Sequence, residues 1–223
     1  MSQSIDAPKK PGRPRAQDPD TRRQTILEAA YHAFIESGFA RTSTADIARR
    51  ANVSKRTIYE VFSTKTELFA EVIRQRQHLL VDLPRSENEA LSVQDTLVQI
   101  FRLDIAPDAQ KEREAILNLL IKESILFPEL TDYLYQHEMI RSREMLIDWL
   151  QMEMTRGRIP EGDVLVYAGM LMDIVFGALV PRRRLKDDAG REERTEHIRQ
   201  RLAIFCRGVS VATMNNRPAS PPE

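Results

Sequence analysis

An all-α fold is what these 223 residues predict. Three observations carry that expectation. Apolar residues recur at i, i+3 and i+4 through one segment after another, the spacing of one helix face. Aromatic residues make up 6% of the chain and glycines number eight, too few for a sheet protein with aromatic strands and Gly-rich turns. Pro107, Pro128, Pro160 and Pro181 fall between the periodic segments, where a proline starts or stops a helix.

Residues 1–19 are polar and basic, with prolines at Pro8, Pro11, Pro14 and Pro19, and read as a flexible arm. A first helix is expected from Asp20 to Ser37, with Ile26, Ala29, Ala30, Ala33 and Phe34 on one face and Gly38 as its left-handed end. A short second helix follows Ser43, whose spacing to Asp46 forms a capping box. It turns inward Ile47, Ala48 and Ala51 and breaks at Asn52-Val53-Ser54, where Asn tolerates a left-handed backbone. A third helix runs from Lys55 to Phe62, and Thr64 with Glu67 caps a fourth that reaches Leu80. Beyond the break at Leu83-Pro84, helices are expected near Leu91–Ile105, Lys111–Phe127, Glu129–Arg156, Gly162–Val180 and Arg191–Met214. Residues 215–223, with three prolines, read as a disordered tail.

The charge is zero overall and uneven along the chain. Through Leu79, 14 Lys and Arg face nine Asp and Glu; the remainder reverses the balance, with 19 against 24. A basic first third joined to an acidic remainder suggests one part that meets a polyanion and one that does not. The two short helices between Ser43 and Ser63 have the size of a helix-turn-helix. The second presents Lys55, Arg56, Thr57 and Tyr59 while Ile58 and Phe62 stay inside. Exposed donors and positive charge at a helix start are what major-groove reading requires.

Thr42 to Ala48, Ala51 to Tyr59 and Phe62 to Lys65 resemble the TetR (tetracycline-repressor) family of transcriptional regulators, and Phe127-Pro128-Glu129-Leu130 resembles a subset of its AcrR-like members. The resemblance spans about a fifth of the chain. It departs at Asn52, where Gly is usual, and at Glu60, an acid where the family more often has a neutral or basic residue. It implies an N-terminal helix-turn-helix three-helix domain with its linking helix (residues 20–80) and a larger helical ligand-binding and dimerisation domain (residues 81–214). It also implies a double-stranded DNA operator as partner. Lys55, Arg56 and Thr57 would reach base edges; Ser54, Thr44 and Tyr59 would lie on the DNA, the last two on phosphates; Lys65 would offer its cation to a phosphate at the start of the fourth helix. In the arm, Gly12-Arg13-Pro14-Arg15 resembles an AT-hook core, with Arg13 and Arg15 entering a narrow minor groove.

For the second domain two readings stand. One is a repressor released by a small, largely apolar effector; the other is a constitutive DNA-binding adaptor that acts through a protein partner. Residues expected to line an effector cavity are Phe101, Leu120, Glu123, Phe127, Trp149, Met152, Met170 and Asp173. Six of the eight methionines lie between Met139 and Met172, and Met suits adaptable pockets as well as ordinary cores. Asp173 interrupts an apolar run, where an unpaired buried carboxylate is expensive, so a partner for it is expected. A homodimer is expected through the last two helices, with Ile198, Leu202, Phe205, Val209 and Ala212 as an apolar stripe.

No nucleophile–base pattern is present, and the four histidines are scattered without a second ligand at helical spacing, so neither an enzyme nor a metal or cofactor is expected. The single cysteine, Cys206, forms no intrachain disulfide and reads as a small buried hydrophobe. The 17 residues from Val164 to Val180 fall short of the about 20 a membrane span needs. With no signal-peptide segment at the start, a cytoplasmic protein that meets no membrane is expected.

Overall fold

A computed structural model describes residues 18–138, 140–179 and 188–215. The basic arm with Arg13 and Arg15 and residues 216–223 of the C-terminal tail lie outside the described residues. Among those described are ten helices and no strand.

Side chains set the first helix starts as the sequence dictates. In α1 (Pro19–Arg41) the Asp18 carboxylate accepts the Thr21 amide at 3.1 Å, and Pro19 occupies the first turn. At α2 (Thr44–Arg50) the capping box is complete: Ser43 Oγ accepts from the Asp46 amide and the Asp46 carboxylate accepts from the Ser43 amide. Ser54 caps α3 (Lys55–Val61), Thr64 caps α4 (Lys65–Leu80) and Ser92 caps α5 (Val93–Ile100), each accepting an amide three residues on. Pro107 and Pro128 start α6 (Pro107–Leu126) and α7 (Pro128–Gln136). The chain then forms α8 (Ser142–Thr155), α9 (Val164–Leu179) and α10 (Asp188–Asn215).

Three elements differ from the sequence reading. Gly38, at φ 79° and ψ 170°, interrupts α1 rather than ending it, and a further helical turn runs to Arg41. The long helix expected over 129–156 is two. Glu138 adopts φ 60°, a conformation that ends α7, and the Arg141 guanidinium donates to the Glu138 carboxylate at 2.6 Å across the break. Apolar periodicity misses this break because α7 and α8 turn their apolar faces, Leu130 and Leu134, then Leu146 and Leu150, into one core. Finally, α5 stops at Ile100 because Arg102 takes φ 52° and the chain turns back on itself, leaving room for α6 to begin at Pro107.

The helices share a single apolar core that runs from Ile26 of α1 to Phe205 of α10. Helix α4 packs on both α1 and α6, and α6 reaches α1 directly, so α4 and α6 together join the first helices to the rest. Arg76 rivets that junction. It is 6% exposed, bonds Glu28 of α1 at 2.7 Å and Glu112 of α6 at 2.6 Å, and stacks over the Tyr31 ring at 3.7 Å. Farther on, buried Glu153 pairs with Arg156 and Arg158, and Arg158 also donates to the carbonyls of Glu89 and Leu91, pinning the loop before α5. Buried Arg113 gives one bond, to the Arg102 carbonyl at 3.3 Å, and desolvation pushes its guanidinium down to about 10.

The α10 stripe is placed differently from expectation. Ile198 and Leu202 are fully buried within the monomer and Phe205 nearly so, because α10 lays that face on α9 and α5. The outward apolar residues are Leu165, Val166 and Met170 on α9 and Ile204 on α10, each about half exposed. Met170, Ile174, Ile204, Phe205, Gly208 and Val209 border one shallow apolar groove between the two helices. Among the described residues, no helix is long and apolar enough to cross a membrane.

Candidate nucleic-acid interface

The turn between α2 and α3 positions everything on this face. Asn52 takes φ 53°, the left-handed conformation the turn requires, and the Val53 amide reaches back to the Ala48 carbonyl at 3.0 Å. Small Ala48 and Ala51 are buried beneath it, and Ile58 and Phe62 anchor α3 from inside. That leaves Ser54, Lys55, Arg56 and Tyr59 exposed in a row across the start of α3, with Thr57 partly covered. These are residues that the sequence pattern and the family resemblance place toward DNA, and the fold brings them together.

Each is held lightly and locally. Ser54 Oγ accepts the Thr57 amide at 3.0 Å and shares a hydrogen bond with Thr57 Oγ1 at 2.8 Å. The Lys55 ammonium sits 5.8 Å over the Tyr59 ring. Tyr59 lies with its hydroxyl 3.3 Å from Thr44 Oγ1, so the two expected phosphate ligands form one hydroxyl pair, Thr44 buried and Tyr59 about half exposed. Arg56 donates through Nε to Glu60 at 2.9 Å. Glu60, the acid that departs from the resemblance, thus holds the guanidinium expected to read bases.

Lys65 corrects its expectation. Its ammonium turns inward, donating to the carbonyls of Phe39 at 2.8 Å and Thr42 at 3.1 Å, and lies 4.2 Å over the Phe39 ring. The reason is electrostatic. A cation at the start of α4 opposes that helix's dipole, but this one reaches the carbonyl end of α1, where positive charge is favourable. Burial pushes Lys65 below the ordinary lysine value; the negative charge of Glu123 opposes that shift. Lys65 is an anchor between α4 and the end of α1 rather than an exposed phosphate ligand.

Sequence reasoning missed what stands behind that anchor. A Cβ built on Gly38 would lie 2.7 Å from Glu123 Oε1, so α6 touches the α1 break directly. Phe39 and Phe127 meet edge to face at 5.8 Å, and Phe39 also contacts Phe34 and Phe69. Gly38 was visible as a conformational signal; nothing local in the sequence pairs it with a residue 85 positions on.

The eight expected cavity residues fall into three groups. Leu120 and Glu123 line a cavity of about 290 Å³ between α4, α6 and α7, which Phe69, Leu130, Thr131, Leu134 and Ile140 complete. Phe127 sits beside it, on Phe39. Phe101, Trp149 and Met152 are packed into the common core, Phe101 edge-on to Phe176 at 6.1 Å; Trp149 Nε1 is buried there without a hydrogen bond. Met170 and Asp173 correct their expectation. Both are exposed on the outer side of α9, Met170 in the groove shared with α10, so Asp173 is a solvated carboxylate and neither belongs to the cavity. Cys206 is partly buried, and desolvation pushes its thiol above the ordinary value, which disfavours the reactive thiolate.

Comparison with known proteins agrees with this geometry. The family model for bacterial regulatory proteins of the tetR family matches residues 26–72. That of the AefR-like transcriptional repressor C-terminal domain matches residues 95–208, half of the chain. An uncharacterized HTH-type transcriptional regulator of Bacillus subtilis, YvkB, is 25% identical over 190 residues, covering 83% of this chain and 95% of its own. The HTH-type transcriptional regulator SrpR of Pseudomonas putida is 24% identical over 181 residues, covering 78% and 81%. Among solved structures, Salmonella enterica GusR superposes with a TM-score of 0.65 over 86% of this chain and 98% of its own, at 22% identity.

Proposed function

The chain belongs to the TetR family of bacterial transcriptional regulators, and from that premise we propose that it is a homodimeric repressor released from its operator by a small, largely apolar effector. The family is one of DNA-binding regulators, not of enzymes. On this reading Lys55, Arg56 and Thr57 meet base edges in the major groove, and Ser54, Thr44 and Tyr59 meet the backbone. Two copies joined along α9 and α10 through Met170, Ile174, Ile204 and Gly208 would present two such helices to a two-fold site.

The observation that carries effector release is the position of the α4/α6/α7 cavity. It is apolar over most of its lining, and its one charged residue, Glu123, also touches the Gly38 break from which the helix-turn-helix departs. Occupying the cavity would move α6 or α4 and, with them, Phe127 on Phe39 and Lys65 on Thr42. A ligand that fits only the moved state shifts the population toward it. The test begins with selecting a bound sequence from random DNA. Operator affinity is then measured by fluorescence anisotropy for the full chain and for Thr131→Trp, which fills the cavity. Binding weakened by about tenfold or more is expected. Unchanged affinity in a folded Thr131→Trp protein overturns effector release and leaves constitutive binding.

A further inference from the structure

The geometry points to the chemical class of the effector: an apolar molecule bearing a protonated amine, whose cation Glu123 receives in the α4/α6/α7 cavity. This rests on the ligand-responsive reading above and adds to it the charge of the ligand.

Glu123 is 2% exposed, and its Oε2 is buried with no hydrogen-bond partner. A carboxylate in that state is costly unless something pairs with it. Two basic side chains lie near enough to temper that cost, but neither bonds the carboxylate. Lys65 donates to the Phe39 and Thr42 carbonyls. Lys122 is exposed, and its ammonium approaches Gly38 rather than forming an ion pair with its neighbour. Two other carboxylates removed from solvent are answered by guanidinium groups: Glu153 has Arg156 and Arg158, and Glu114 has Arg191 and Arg194. Glu144 Oε2 is also buried without a partner, but its Oε1 accepts from the Tyr135 hydroxyl; Glu123 is the one of the two that lines the α4/α6/α7 cavity.

The cavity wall selects the rest of the molecule. Phe69, Leu120, Leu130, Leu134 and Ile140 favour an apolar body. Ser124 Oγ is already donating to the Ile121 carbonyl, and Thr131 is the remaining hydroxyl. A neutral apolar molecule would leave the carboxylate unpaired, and an anion would be repelled. An amine satisfies it and, in a desolvated setting, forms a charge-assisted hydrogen bond of the stronger kind. Because Oε1 of the same carboxylate abuts Gly38, drawing Glu123 toward a bound cation loosens the contact beneath the helix-turn-helix.

The test is isothermal titration calorimetry of the full chain with phenylbutylamine and with phenylbutanol, a matched pair that differs at the charged group. Wild type and Glu123→Gln are compared, and thermal unfolding of both unliganded proteins is followed. We expect the amine to bind wild type at least about tenfold more tightly than the alcohol, and Glu123→Gln to bring the amine to the alcohol's affinity. The unliganded variant should melt higher than wild type, since it no longer buries an unanswered charge. Equal affinity of the two probes for wild type, no binding of either at millimolar concentration, an amine preference that survives Glu123→Gln, or a lower melting temperature for the variant would each overturn the assignment. Amine binding at Glu123 without release from the selected operator would leave the assignment standing and overturn effector release instead.

Discussion

The helices that face DNA and the helices behind them are held by different kinds of bond. The helix starts of α2, α3 and α4 are fixed by contacts short in sequence: Ser43 with Asp46, Ser54 with Thr57 and Thr64 with Glu67 lie three residues apart, and Arg56 with Glu60 on α3 four. Behind them the chain is tied across long intervals. Gln110 donates to Thr195 at 2.9 Å, Arg199 to the Leu103 carbonyl at 2.7 Å, and Arg191 and Arg194 clasp Glu114. Local bonds form wherever the local sequence is right, whatever surrounds it. Long ones exist only once the helices have packed. The start of α3 is therefore locally specified, while α2 and α4 are tied to α1 by Arg50 with Glu36, Arg23 with Glu71, Arg76 with Glu28 and Lys65 with the Phe39 and Thr42 carbonyls, and the crossings to α6 include Arg76 with Glu112 and Glu123 at Gly38.

The sharpest way to break that contrast is in α10, where neighbouring residues do opposite things. Leu202→Ala removes a fully buried side chain and should cost about 2–5 kcal/mol in urea unfolding. Ile204→Asp, two residues on and 60% exposed, should leave the monomer's unfolding nearly unchanged while dissociating the dimer in light scattering and abolishing operator binding. An Ile204→Asp protein that stays dimeric moves the interface away from this groove.

The crossings come next. Gly38→Ala meets two penalties, a left-handed φ and a Cβ 2.7 Å from Glu123 Oε1, and should lose about 2 kcal/mol or more. Gly157→Ala meets one, φ 69° with open space around it, and should lose about 1 kcal/mol. A Gly38→Ala loss that shrinks to the Gly157→Ala level when measured in the Glu123→Ala background, against Glu123→Ala alone, would tie the excess to that contact. Equal losses in the two single variants would show that α6 yields freely at the break.

This division also explains what the sequence discloses. Ser43, Ser54 and Thr64 announce helix starts because their partners are three residues away, and Asn52 announces the turn because its backbone preference is its own. The direction of α10 is hidden for the opposite reason. Ile198, Leu202 and Phe205 form one stripe and Ile204 begins another, and only the position of α9 and α5 decides which is inside. Asp173 misled in the same way: an acid in an apolar run reads as buried, whereas α9 is apolar on two sides and carries the acid between them. Lys65 was recognisable as electrostatically misplaced on its own helix, but its resolution, the carbonyls of Phe39 and Thr42, lies 26 and 23 residues back.

Lys65 and Arg56 separate the two kinds of cation experimentally. Arg56→Ala should cost about 1–3 kcal/mol on the cognate operator and much less on scrambled DNA, as a lost base contact does. Lys55→Ala should behave alike. Lys65→Met should instead lower stability by about 1–3 kcal/mol, through two carbonyls left without a donor, and barely change the salt dependence of binding. A salt slope reduced by about one unit in Lys65→Met, with stability intact, would return that residue to the phosphate contacts.

The smallest expected effect tests how lightly the reading surface is held. Arg56 and Glu60 form an i,i+4 pair in the unbound protein, with side chains 88% and 52% exposed. Such a pair contributes about 0.3–0.5 kcal/mol, and less here, because a base followed by an acid is the weaker order along a helix. Glu60→Gln should therefore leave stability almost unchanged and tighten DNA binding by a few tenths of a kcal/mol, roughly the strength of that pair. Two sources of the gain can be told apart. If Glu60 merely repels phosphates, the tightening appears on cognate and scrambled DNA alike and fades as salt rises, since exposed charges are screened. If Glu60 holds Arg56 back, the gain is confined to the cognate site and disappears in the Arg56→Ala background. Weaker cognate binding in Glu60→Gln would reverse the assignment: the carboxylate would then be aiming the guanidinium, or accepting a cytosine amino group itself, and the acid that departs from the family pattern would be part of the reading surface.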